Sequence, residues 1–127
     1  MADWDDVVRL ALALPAATEG TTYGHRSWQV SGRAFAWERP LRPADVAELG
    51  EVAPVGAVLA LRVPDVGARQ VLVADSPGVY FSTTHFAGFP AVLVRLAQIE
   101  VAELAEVLTE AWACRAPRRL VAQHLRG

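Results

Sequence analysis

The stretch GHRSWQVSGRAFAWERP, residues 24–40, sets Trp28, Phe35 and Trp37 on either side of a Ser31-Gly32 pair. Large apolar residues recurring at every second position mark strands, and a Ser-Gly pair between two such runs suits a two-residue hairpin turn. With that turn, Val30 faces Arg33, Trp28 faces Phe35 and Arg26 faces Trp37, and all six share one face. Ser27, Gln29, Ala34 and Ala36 fall on the other face, which is small and partly polar. The aromatic face is therefore predicted to pack inward. Arg26 against Trp37 would add a cation–π contact worth about 0.5–1 kcal/mol at an exposed site.

Upstream of the hairpin, Asp3 and Asp6 have the spacing of a capping box, and Trp4, Val7, Val8, Ala11 and Leu14 recur at helical spacing. Pro15 disfavours helix at Leu14 and ends the element. Asp3, Asp5 and Asp6 are best read as first-turn carboxylates that the helix dipole favours, ahead of a cation site.

Downstream, residues 40–56 are rich in Pro and Gly and predict a connection with one turn of helix at Asp45 to Leu49. Ala57 to Val63 reads as a strand, and Pro64 suits the first position of a helix running to about Ala74. Val79 to Ser82 and Ala91 to Leu96 read as two further strands, separated by the loop TTHFAGFP. From Glu100 the period returns to that of a helix. Val101, Leu104, Ala105, Leu108, Ala111 and Trp112 form its buried stripe, and Glu100, Glu103, Glu106 and Glu110 form a solvated acidic face. A last helix starting at Pro117 is expected to bury Leu120, Val121 and Leu125. The expected fold is α+β: a single domain over residues 1–127, with an antiparallel sheet of about five strands covered by N- and C-terminal helices.

The totals agree with one globular domain. A chain of 127 residues with 53% hydrophobic and 20% charged residues can offset the entropy of folding without a metal or disulfide scaffold. Its single cysteine, Cys114, excludes an internal disulfide and fits a reducing compartment. The acidic start MADWDDVVRL is unlike a secretory signal, and no apolar run reaches the roughly 18 residues of a membrane span. A cytoplasmic protein, without a membrane partner and acting as a monomer, is expected. All 12 basic residues are arginine, asparagine is absent and isoleucine occurs once, a bias that GC-rich coding produces without any selection for phosphate binding. The net charge of −2 gives no general attraction to nucleic acid.

In this order the segments resemble the MmcQ/YjbR family of small, mostly bacterial proteins. The matching pieces are ALALPAATEG, TYGHRSWQVSGRAFAW, VLALRVP, HFAGFPAVLVRL and AWACRAPRRLVAQHL, which together span nearly the whole chain. The resemblance implies a frataxin-like (CyaY-like) fold and the family's usual description as DNA-binding. Arg33 stands where the family's hairpin often carries lysine, and Phe89-Pro90 stands where a tryptophan is often found.

Two sets of candidate site residues follow. Arg26 and Arg33 on the hairpin, with Arg115, Arg118, Arg119 and Arg126 in the last 13 residues, are candidates for contact with DNA phosphates. Arg118 and Arg119 would lie in the first turn of the last helix, against its dipole, so they call for a bound anion or for salt bridges to Glu103, Glu106 or Glu110. His25, Trp28 and His85, with Arg33, are candidates for a small-ligand pocket beside glycine-containing loops. The acidic helix face offers a third possibility, a protein partner. No CxxC, HxxxH or GxSxG spacing is present, and Cys114 is expected as a packed thiol. The sequence therefore implies no metal, cofactor or catalytic set.

Overall fold

The hairpin forms at Ser31-Gly32, joining β2 (His25–Val30) to β3 (Arg33–Glu38). Both turn residues have positive φ, 52° and 75°, as a two-residue turn matched to strand twist requires. The computed structural model describes residues 1–126. Val30 pairs with Arg33 and Gln29 with Ala34, as alternation predicts. The register then shifts, so that Trp28 pairs with Ala36 and Ser27 with Trp37. Phe35 is the extra residue of a β-bulge, and the expected Trp28–Phe35 and Arg26–Trp37 pairs do not form. Beyond a bulge the side chains exchange faces. Phe35 and Ala36 therefore join the helix-side core with Trp28 and Val30, while Trp37 is delivered to the opposite face. Arg26 stacks instead over Trp28, at 5.5 Å from the ring centroid.

A sixth strand, β1 (Ala17–Thr22), adds to the five expected and pairs antiparallel with β2 through the two-residue turn Tyr23-Gly24. Its φ angles of 53° and 79° repeat the geometry of the second turn. The remaining strands are β4 (Val58–Arg62), β5 (Tyr80–Phe81) and β6 (Ala91–Arg95). Every pairing is antiparallel, and the order across the sheet is β1-β2-β3-β4-β6-β5.

Among the described residues, five α-helices accompany the sheet. In α1 (Trp4–Leu12) the expected reciprocal Asp3–Asp6 capping box forms, each carboxylate accepting the other's backbone N–H at 3.0 Å. Val7 and Ala11 turn into the core and Trp4 stacks on Trp28 at 6.2 Å. The connection after β3 holds α2 (Pro43–Leu49). Next, α3 (Val66–Asp75) starts two residues later than Pro64 suggests, because Asp65 caps it by accepting the Ala68 N–H at 2.8 Å. The longest helix, α4 (Val101–Arg115), buries Leu104, Val107, Leu108, Ala111 and Trp112. Its acidic face is not wholly solvated, since Glu103 accepts a hydrogen bond from the Tyr80 hydroxyl at 2.5 Å.

In α5 (Arg118–Arg126), Leu120 and Val121 pack against the core but Leu125 is 80% exposed. His124, not Leu125, closes over Trp112, with ring centroids 5.2 Å apart.

The sheet buries both faces. On one, α1 and α4 enclose Trp28, Val30, Phe35, Leu59, Leu61 and Val94. On the other, Trp37, Val58, Ala60, Phe81, Phe86 and Leu93 form a smaller core. Loops and short helical turns cover that second face, so its packing is less complete.

Candidate functional site

The second face carries a cleft of about 480 Å³, inside the range of roughly 300–1,000 Å³ usual for small-molecule sites. Three separate segments build it. The Tyr23-Gly24 turn brings Thr22, Tyr23 and His25. The end of β3 and the chain after it bring Trp37, Glu38, Arg39, Pro40 and Arg42. The loop after β5 brings His85, Phe86 and Phe89. His25 and His85, 60 residues apart in sequence, line the same cavity.

Aromatic rings make its apolar wall. Trp37 and Phe89 meet edge to face at 6.4 Å, and Phe86 lies 6.1 Å from Phe89. Trp37 and Phe86 are nearly buried, Phe89 is half-exposed, and Tyr23 stands 90% exposed at the rim.

The polar wall is anchored on Asp45, which is 2% exposed. Its Oδ2 accepts the Arg42 backbone N–H at 2.9 Å, pairs with Arg39 Nη2 at 3.1 Å, and lies 3.5 Å from Arg42 Nε. Burial pushes the Asp45 carboxyl upward, but the Arg42 backbone N–H, the Arg42 side chain and Arg39 outweigh it and hold the group below the ordinary carboxylate value. Arg39 is fixed further by Phe86, whose ring centroid lies 5.3 Å from its guanidinium. Arg42, with half of its side chain exposed, keeps donors free for the cleft. Glu38 Oε1 accepts the Arg26 N–H at 3.0 Å and ties the start of β2 to the end of β3.

The third wall is a loop held by a buried cation. Arg69 of α3 is 6% exposed and pairs with no carboxylate among the described residues. Its Nη1 donates to the carbonyls of Phe86, Phe89 and Ala91 at 2.7, 2.9 and 3.1 Å, and its Nη2 donates to Ala87 at 2.9 Å. A buried guanidinium is tolerated when its protons are satisfied in this way. From the other side, the Glu48 carboxylate accepts the Thr84 N–H at 3.0–3.1 Å. The segment carrying His85, Phe86 and Phe89 is thus clamped from both flanks.

The rest of the expected pocket lies elsewhere. Trp28 is fully buried in the helix-side core, with its Nε1 donating to Glu19 at 3.2 Å. Arg33 is exposed beside the Ser31-Gly32 turn, at the opposite end of β3 from Glu38. At about 3.3 Å per residue that separation is roughly 16 Å.

The arginine set also divides. Arg26 forms a fork with Glu19, whose two carboxylate oxygens lie 3.2 Å from Nε and Nη2, and this bond holds its guanidinium above its ordinary basicity. Arg33, Arg118, Arg119 and Arg126 are exposed, and none forms an ion pair among the described residues. The expected bridges from Arg118 and Arg119 to Glu103, Glu106 or Glu110 do not form. Arg115 is half-buried at the end of α4. The Cys114 thiol is half-buried beside it, and burial pushes its pKa up.

A sequence profile named YjbR matches residues 12–114, which hold both hairpins, the cleft and most of α4. The chain belongs to the YjbR family. The YjbR profile thus covers every residue lining the cleft and stops before Arg115, Arg118, Arg119 and Arg126. Similar proteins include "Uncharacterized protein Mb2600" of Mycobacterium bovis and "Uncharacterized protein Rv2570" of Mycobacterium tuberculosis. Each is 48% identical over 124 residues, spanning 95% of this chain and 94% of the relative. No solved structure matches the chain. Among the described residues, no helix is long and apolar enough to cross a membrane.

Proposed function

We propose that this YjbR protein binds a small planar ligand in the cleft, an aromatic or heterocyclic compound rich in hydrogen-bond acceptors. One observation carries the reading: His25, Arg42 and His85, with Tyr23 at the rim, line a cavity walled by Trp37, Phe86 and Phe89. Aromatic faces take up a flat ring, and the four polar groups are positioned to donate to its substituents. The clamps at Arg69, Glu48 and Asp45 support it, because a wall fixed before the ligand arrives lowers the ordering cost of binding.

The test is a thermal-shift titration with a panel of aromatic carboxylates and neutral N-heterocycles of matched size. A ligand at about one hundred times its dissociation constant adds roughly 2.7 kcal/mol of stability. The expected hit stabilises the wild type and loses its effect in His25→Ala and His85→Ala, while Arg33→Ala keeps it. A hit unaffected by either histidine variant contradicts the assignment.

A second reading, contact with DNA, is favoured by four exposed arginines without ion partners, Arg33, Arg118, Arg119 and Arg126. It is the role, with the frataxin-like arrangement, that the family resemblance implies. It predicts binding that weakens steeply with salt, with a log–log slope of about −0.9 for each phosphate neutralised. Absence of binding to duplex and single-stranded probes at low salt contradicts it. The exposed Glu106 and Glu110 on α4 are the candidate surface for a protein partner, which co-purification from the native cell would reveal.

A further inference from the structure

The sheet ends in β1 on one side and β5 on the other. With only Tyr80 and Phe81, β5 is too short to template another strand. β1 offers six residues, Ala17–Thr22, and contains no proline, no basic residue and no bulge in its pairing with β2. Those are the devices that ordinarily blunt an edge. Its one charge, Glu19, is held by the fork with Arg26. Thr18, Glu19 and Thr21 are exposed, so no helix or loop covers the strand.

The turn fixes which backbone groups face outward. Thr22 and His25 flank the two-residue turn Tyr23-Gly24 and are register partners, so they form a hydrogen-bonded pair. Pairs alternate along an antiparallel ladder. Gly20 and Thr18 therefore also bond to β2, whereas Ala17, Glu19 and Thr21 point their N–H and C=O groups away from it. Two contacts agree with this alternation. The N–H of Arg26, which lies opposite Thr21, donates to Glu38 Oε1 on the β3 side at 3.0 Å. The N–H of Ala17 donates to the Leu14 carbonyl at 3.2 Å. No turn, loop or cap bond reaches the backbone of Glu19 or Thr21 among the described residues.

We propose that β1 pairs antiparallel with β1 of a second copy of this chain, about a two-fold axis at Gly20, joining the two sheets into one. In this register Glu19 lies opposite Thr21 of the other copy, and each such pair exchanges two backbone hydrogen bonds. Both pairs use the outward groups that each chain leaves free. At the axis the two glycines meet in a non-bonded pair, the closer spacing of about 4.5 Å, where the absence of side chains removes any clash. Thr18 faces Thr22 of the other copy, a favourable cross-strand pair. Each Glu19 then sits between Arg26 of its own chain and a threonine, with no like charges opposed. The neighbouring registers fail. An axis at Glu19 sets two carboxylates directly opposite each other, and an axis at Thr21 runs Glu19 into Tyr23, whose φ of 53° ends the strand. The self-complementary register singles out a second copy as the occupant. Thr22 also lines the aromatic cleft, so Thr18 of the second copy stands beside its rim.

The experiment is sedimentation equilibrium from about 1 µM to about 1 mM, paired with amide hydrogen exchange over the same range. The wild type should pass from monomer to dimer. Protection of the Glu19 and Thr21 amides should rise with concentration, while those of Thr18, Gly20 and Thr22 stay protected throughout. Thr21→Asp should raise the dimer dissociation constant by about tenfold or more, because each new carboxylate faces Glu19 of the other copy. Within its own chain the aspartate lies opposite Arg26, so the monomer fold is kept. Thr21→Val, which retains the backbone pairing, should still dimerise. Neither measurement requires a ligand, so the outcome is independent of the cleft reading. The monomer expected from the sequence, persisting over the whole range, overturns the proposal. So does a dimer that Thr21→Asp leaves intact, or one that forms without protecting Glu19 and Thr21. Protection that appears only on adding cell extract assigns the edge to another protein and equally overturns it.

Discussion

Arg39 Nη2 meets the buried Asp45 Oδ2 at 3.1 Å, and this pair joins the end of β3 to α2 beneath the polar wall of the cleft. The linkage has a defined pH dependence. Asp45 is held below its ordinary value of 3.8 when folded, so the folded state binds its proton less readily than the unfolded chain does. Its contribution is complete above that value and is lost as pH falls through and below it. Asp45→Asn should lower stability at pH 7 and flatten the acid limb of a stability profile. Removing one partner of a buried pair costs about 3–5 kcal/mol. Urea titrations across pH 2.5–7 measure both effects.

The Tyr80 hydroxyl is the opposite case. Burial, reinforced by the hydrogen bond to Glu103, raises its pKa above the ordinary value of 10.0. Its contribution is therefore present below pH 10 and is lost as pH rises above that value. Glu103→Gln should reduce the loss. Absorbance at 295 nm against pH should show Tyr80 ionising later in the folded protein than after denaturation.

Arg69 supports four carbonyls and touches no ligand-lining side chain through an ion pair, so its removal tests the loop rather than the chemistry. Arg69→Met should cost about 2–4 kcal/mol by leaving buried acceptors unmade. It should also accelerate hydrogen exchange across residues 84–91 more than elsewhere. Arg69→Lys, which keeps the charge but not the fork, should fall between the two.

Both hairpin turns depend on positive φ. At Ser31, with φ of 52°, asparagine adopts the required conformation more readily, and Ser31→Asn should stabilise by about 0.5 kcal/mol. Gly32, with φ of 75°, has open space around a would-be Cβ. The cost of Gly32→Ala is therefore conformational, about 1–2 kcal/mol. Urea unfolding with an unchanged m-value distinguishes these effects from a change in the denatured state.

These turns also show how far the residues alone could be read. The capping box at Asp3 and Asp6, the Ser31-Gly32 turn and the apolar stripe of α4 depend on neighbours close in sequence, so their patterns were visible. β1 was not, because an edge strand of sequence ATEGTT with no buried position carries no apolar alternation. The bulge at Phe35 leaves no mark in the pattern either. Strict alternation puts Trp28 and Trp37 on one face, whereas the shifted register sends Trp37 into the cleft.

His25 and His85 were recognisable as polar residues beside loops. Arg39, Arg42 and Asp45 gain their roles only when three distant segments meet. Arg69 looked like an unremarkable helix residue, since nothing in its own segment hints at the carbonyls it reaches 17–22 positions away.

The most direct test of the cleft is chemical-shift mapping with the strongest hit from the aromatic panel. The account predicts perturbations of the Trp37 indole, His25 and His85 ring signals and the amides of residues 22–25 and 84–89, with Arg118 to Arg126 unaffected. Perturbations confined to Arg33 and α5, with the Trp37 indole signal unmoved, would contradict it.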